Sequence, residues 1–272
     1  MVAGQLADVE LAQAYLQFLI RSLGRSYLRR RRVLVTTPLG ATPVQLRAMT
    51  KALEQAGVAR VRFLEQPLAS ALGAHIAIEA PLGAMVVDIG GEVSNIAVVA
   101  LGGVVVGKAL PFGGESLNLA LARELLSRAR VVVDPQVAGQ IIHQYGTTLN
   151  ADSESFADVV GRERVTGEQR VVRLYQSQLT EIITAEFKQL FATVRQIIAT
   201  CPPDVAKDLV TSGIVLAGGG SLLPGLAEEL SEVAGIPVHV YKDPSHLGVL
   251  GAARCLATFD ELDAAFTTAP QR

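Results

Sequence analysis

The chain has 272 residues, 50% of them apolar and 18% charged, with a formal net charge of −2. That is enough apolar material for one large domain or two smaller ones, and the near-neutral charge argues against a nucleic-acid partner. No apolar run approaches the roughly 20 residues of a membrane-spanning helix, and no stretch has a signal peptide's pattern, so a reduced cytoplasmic protein is expected.

From the start, apolar residues at Val9, Leu11, Ala12, Tyr15, Leu16, Leu19 and Ile20 keep helical spacing behind Asp8, a fitting N-cap. Next come Tyr27 and Leu28 beside four arginines, Arg29 to Arg32. Such a cluster suits an anionic membrane surface, where each cation contributes about 1 kcal/mol; a solvated charge run is the alternative, and the residues leave both open.

A strand is predicted over 33–37, then a helix from the capping-box pattern Thr42-Pro43-Val44-Gln45 to Gly57. A second strand over 61–64 runs into Glu65-Gln66-Pro67 and a small-residue helix through Gly73, which places Gln66 at a strand's C-terminal end. Polar side chains at such ends line clefts in α/β sheets.

Beyond Pro81, strands are predicted over 85–88, 95–101 and 104–110, followed by Phe112-Gly113-Gly114 and a helix through Arg128. The stretch from Asp88 through Gly90-Gly91-Glu92 to Ser94 fits either a phosphate-binding turn with a metal- or water-holding acid, or a β-hairpin whose Asp caps the turn. Gly102 to Lys108 has P-loop spacing but lacks the Ser/Thr and the open glycine turn, so it is taken as strand. Residues 131–176 are more polar and predict an inserted unit with a short helix and a hairpin.

Leu179, Ile182, Ile183, Phe187, Leu190, Phe191, Val194, Ile197 and Ile198 stripe one face of a long helix stopped by Pro202-Pro203. A strand over 214–217 then meets Gly218-Gly219-Gly220, followed by a helix over 224–233, a strand over 237–241, a small-residue helix with Gly248 and Gly251, and a weakly structured tail. Cys201 and Cys255 are expected to be free structural thiols, and the four histidines have no ligand spacing that would suggest zinc. Three strands thus end in glycine turns, at 90–91, 113–114 and 218–220. One cleft can gather all three.

The motifs Leu64 to Gly73, Met85 to Gly91, Leu101-Gly102-Gly103, Phe112 to Glu115, Gly161 to Gly167, Gly213 to Ser221 and Asp243 to Ala252 resemble the bacterial actin homologue family MreB. That family belongs to the superfamily of actin, sugar kinases and heat-shock chaperones. The resemblance implies an α/β, actin-like (ribonuclease H-like) two-lobed ATPase fold. Its expected divisions are a partial first lobe at 1–80, a complete second lobe at 81–257 with an inserted subdomain near 131–176, and a tail at 258–272. The family's opening Asp-x-Gly-Thr-x-Asn loop and its strands have no match here. The strand over 33–37 is therefore expected to lack its usual neighbours, either pairing with another chain or pointing to an upstream coding segment.

The resemblance also implies site residues. Gln66 falls where the family orients the attacking water. Asp88, Gly90, Gly91 and Ser94 fall in the second phosphate loop, with Asp88 holding magnesium through water. Gly113 and Gly114 form the connecting segment, and Gly218, Gly219 and Gly220 hold adenosine and phosphates. Tyr27, Leu28, Arg29 and Arg30 fall in the membrane-contacting loop. Two departures bear on ATP: Glu92 replaces a glycine, and Ala138-Gly139-Gln140-Ile141-Ile142 stands where the family has Ala-Glu-Glu-Ile-Lys.

The implied function is cell-shape determination by filaments at the inner face of the plasma membrane. ATP and magnesium are expected to be weakly held or lost, and hydrolysis is left open. Implied partners are further copies or an MreB paralogue, the inner membrane and cell-wall elongation proteins. A non-catalytic scaffold copolymerising with a full-length paralogue is the alternative, with a small-molecule kinase behind it.

Overall fold

A computed structural model describes residues 9–22, 32–149, 151–152, 154–257 and 266–267. Asp8 and the Tyr27 to Arg30 stretch lie outside the described residues.

The chain opens with helix α1 (Val9–Ser22), strand β1 (Arg32–Thr37), α2 (Pro43–Gln55), β2 (Arg60–Glu65) and α3 (Gln66–Gly73). The capping box on α2 forms as expected: Thr42 accepts from the Gln45 backbone N–H, and Gln45 accepts in return from the Thr42 backbone N–H. β1 and β2 run parallel, and β1 stands at the end of this sheet. The tail is not wholly irregular. Its short strand β11 (Phe266–Thr267) pairs antiparallel with β2, because the far side of β2 offers backbone groups that need partners.

The next strands are β3 (Ala84–Ile89), β4 (Ser94–Ala100) and β5 (Gly103–Leu110), followed by α4 (Gly114–Ala129). The P-loop-spaced stretch is strand, as read. β6 (Val131–Val132), α5 (Pro135–Tyr145), β7 (Phe156–Glu163) and β8 (Gln169–Tyr175) build a small three-stranded unit. The long helix is α6 (Gln176–Thr200), and its stripe from Leu179 through Ile197 is core, with Phe187 against Phe112 at 5.1 Å between ring centroids. The sequence reading stopped there and missed α7 (Pro203–Ser212). The two prolines end one helix and start another, since Pro203 occupies the first turn, where its missing N–H costs nothing.

β9 (Ile214–Ala217), a 3-10 turn over Gly219–Leu222, α8 (Leu226–Ala234), β10 (Val238–Val240) and α9 (Leu247–Ala257) complete the chain. A five-stranded sheet forms in the order β10-β9-β3-β4-β5. β3 pairs parallel with β9 and antiparallel with β4, while β4 pairs antiparallel with β5. All six β3 residues are buried, as a strand covered on both faces must be.

Helices α3 and α9 pack between the two sheets, and they share a core with Leu64 of β2, Val86 of β3, Val99 of β4 and Val215 of β9. Their contact is at backbone distance: a Cβ at Gly73 would collide with the Leu247 carbonyl, and one at Gly251 with the Ala69 carbonyl. Gly251→Ala is therefore expected to lower the urea midpoint by the equivalent of about 1–3 kcal/mol, the cost of overpacking a tight core. An unchanged midpoint would show that the helices separate freely.

Candidate nucleotide site

β3 and β9 are parallel and end together, with Asp88 opposite Ala217. β4 begins where β3 ends, and the last residue of β5, Leu110, lies opposite Ser94. The turns at Gly90-Gly91, Gly113-Gly114 and Gly218 to Gly220 therefore emerge at one edge of one sheet. That edge lies outside the carboxyl ends of the parallel strands, where open α/β sheets bind ligands.

The stretch that sequence read two ways is a hairpin in shape: the Gly90 N–H donates to Val93 O at 3.0 Å and closes the β3–β4 turn. Its acid does not cap that turn. Asp88 is 2% exposed and points toward α3, where its Oδ2 accepts from Ser70 Oγ at 2.5 Å and from Gln66 Nε2 at 3.4 Å. Ser70 escaped the sequence reading because it sits in a small-residue helix without a motif. Ser94 is fully buried, and its hydroxyl donates to Phe112 O at 2.8 Å, bracing the β4 and β5 ends.

The glycines divide into two kinds. A Cβ at Gly113 would lie 2.5 Å from both the Gly90 and Gly91 carbonyls, and at Gly218 it would lie 2.7 Å from Asp88 Oδ1; Gly90 and Gly220 are similarly crowded. These four are needed for packing. Gly91, Gly114 and Gly219 instead face open space. One glycine per turn is thus left where a ligand can approach the backbone closely. The first turn of α4 also leans on this arrangement, with Gly114 N–H donating to Gly90 O at 3.1 Å and Glu115 N–H to Gly91 O at 2.7 Å.

Burial pushes the Asp88 carboxyl above the usual carboxylate range, and the bonds from Ser70 and Gln66 pull it part of the way back. Both partners are neutral, so a cation brought beside Asp88 would favour its ionised form. Among the described residues no cluster of three His, Cys, Asp or Glu could cage a metal. Half-buried Glu65, just before Gln66, is also pushed up by burial. Glu92 points to solvent beside the open Gly91.

The MreB/Mbl protein family model matches residues 1–264. This chain belongs to the MreB/Mbl family. It is 32% identical over 262 residues to the cell shape-determining protein MreB of Escherichia coli K12, covering 96% of this chain and 76% of that protein. The cell shape-determining protein Mbl of Bacillus cereus is 28% identical over 260 residues, covering 95% and 78%. Among solved structures, MreB5 of Spiroplasma citri bound to ADP superposes with a TM-score of 0.90 at 23% identity, over 96% of this chain and 79% of that one. A MamK double helical filament superposes with a TM-score of 0.76 at 21% identity, over 94% and 79%. The fold is accordingly actin-like α/β, as the sequence motifs implied.

The raised Asp88 carboxyl sets a direction for stability. A group whose folded value lies above its unfolded one contributes stability at low pH, and that contribution is lost as pH rises through the folded value. Asp88→Asn should therefore raise the melting temperature of the nucleotide-free protein at pH 7.5, by about 2–4 °C for each kcal/mol of relieved burial. The gain should vanish as pH falls to the ordinary carboxylate range near 4. A gain independent of pH would mean that burial of the charge is not its source.

Proposed function

We propose that this chain is a filament-forming, cell shape-determining cytoskeletal protein that binds ATP weakly with magnesium at the Asp88 edge. The observation that carries this reading is the meeting of three glycine turns, each with one glycine facing open space, around a buried acid. Named relatives determine cell shape, and a structural neighbour is a nucleotide-bound MreB5. In this role Gly91, Gly114 and Gly219 receive the phosphates, Asp88 holds the metal's water shell, and Gln66 orients water for any hydrolysis. Magnesium would supply charge neutralisation on the phosphates.

Weak affinity follows from two departures. Glu92 adds a negative charge at the rim, and its solvent exposure limits the repulsion to about 1 kcal/mol at 4 Å. At Gly139, where the resembled family pattern has an acid, a Cβ would lie 3.0 Å from the Asn118 side-chain amide, so a larger residue there would have to displace that amide. Glu92→Gly is expected to tighten magnesium-ATP binding by up to about fivefold by calorimetry. An unchanged affinity would remove Glu92 as the obstacle. For assembly, the purified chain should pellet with nucleotide as filaments visible by electron microscopy. Pelleting only beside a full-length MreB would instead favour the copolymerising scaffold.

A place at the inner face of the plasma membrane, beside cell-wall elongation proteins, has support in charge. Residues 1–80 hold ten Lys/Arg against five Asp/Glu, whereas the rest hold fourteen against twenty-one. The positive part contains Tyr27 to Arg30, and many weak contacts along a filament add up. Among the described residues no helix is long and apolar enough to cross a membrane. Filaments should sediment with anionic phosphatidylglycerol vesicles and not with neutral phosphatidylcholine ones. Replacing Tyr27 and Leu28 by serine should abolish that, and equal binding to both vesicle types would overturn the membrane assignment.

A further inference from the structure

Asp88 is held from outside its own sheet. Ser70 follows Gln66 by four residues in α3, so the two side chains share a helix face. Both reach across to the same oxygen of Asp88, whose other oxygen faces Gly218. Ser70 is fully buried beside Leu68, Ala69 and Ala71, a setting in which alanine would meet every packing need. A buried serine hydroxyl in a helix commonly bonds back to the carbonyl four residues earlier. This one donates to a carboxylate on another element instead, at 2.5 Å, the short distance of a charge-assisted bond. Behind it stands Gly248 of α9, where a Cβ would make ordinary van der Waals contact with Ser70 Oγ at 3.6 Å and Gln66 Nε2 at 3.8 Å.

We propose that Ser70 is a positioning residue: its hydroxyl fixes the direction of the Asp88 carboxylate and ties α3 to the β3–β9 edge, so that the metal-binding oxygen is aimed only while α3 keeps its place. The proposal rests on the nucleotide-site reading above. With Oδ2 occupied by Ser70 and Gln66, Oδ1 is left against the Gly218 turn. A shift of α3 would release the carboxylate and spoil the metal's second shell. Lobe position and metal-assisted nucleotide binding are thereby linked through one hydroxyl.

The test uses the full chain with Ser70→Ala and Ser70→Cys, the latter keeping volume while offering only a weak donor. ATP is titrated by calorimetry with and without magnesium. Both variants should weaken magnesium-ATP binding about tenfold, the worth of one hydrogen bond to a charged group, and leave metal-free ATP binding unchanged. An equal loss of affinity with and without magnesium, or magnesium dependence like that of the unaltered chain, overturns the role of Ser70. Failure of the unaltered chain to bind ATP at all overturns the nucleotide site, and the proposal falls with it.

Discussion

Helices α3 and α9 meet at backbone distance because Gly73 and Gly251 carry no side chain where the Leu247 and Ala69 carbonyls pass. Each end of that contact is tied to the site. α3 begins at Gln66, directly after β2, and presents Gln66 and Ser70 to Asp88. α9 follows a 3-10 turn whose Pro244 carbonyl accepts from the Gly218 N–H at 3.0 Å. Arg254 of α9 closes the other end by donating to the Leu72 and Gly73 carbonyls that end α3. A helix pair without Cβ atoms at the crossing thus sets the distance between the acid and the glycine turn. Larger residues would widen it.

Around that frame, the polar groups are arranged to bury one acid incompletely compensated. Two neutral donors meet Asp88, enough to orient it and not enough to offset its burial. Such a group stores a preference for positive charge. The neighbouring polar pairs are structural by comparison. Ser94 braces Phe112, and Asn95 Oδ1 accepts from the Leu39 N–H at 2.9 Å, fastening the loop after β1 to the five-stranded sheet.

The departures from the family pattern lie away from the α3–α9 crossing. Glu92 stands in solvent on the β3–β4 turn, and Gly139 has yielded its volume to Asn118 of α4. Neither change touches the α3–α9 crossing or the packing glycines. Both positions can therefore vary without loss of the fold, because the packing glycines that hold the strands together are different residues.

Much of the fold was legible because apolar periodicity and turn chemistry are local. The α6 stripe, the α2 capping box and the buried β3 run each announce their element within a few residues, and the glycine turns mark the family. α7 was missed because Pro202-Pro203 reads equally as a stop and as a start, and β11 because two residues carry no period. Sequence offered the candidate site as a set of residues and not as an arrangement. Sequence by itself determined the strands, their glycine endings, the acid at Asp88 and the family to which they belong. Only the tertiary structure decided which glycines are open, that Asp88 turns toward α3, and that Ser70 meets it. Those outcomes depend on how closely two helices and two sheets approach, a distance set by contacts between residues far apart in the chain.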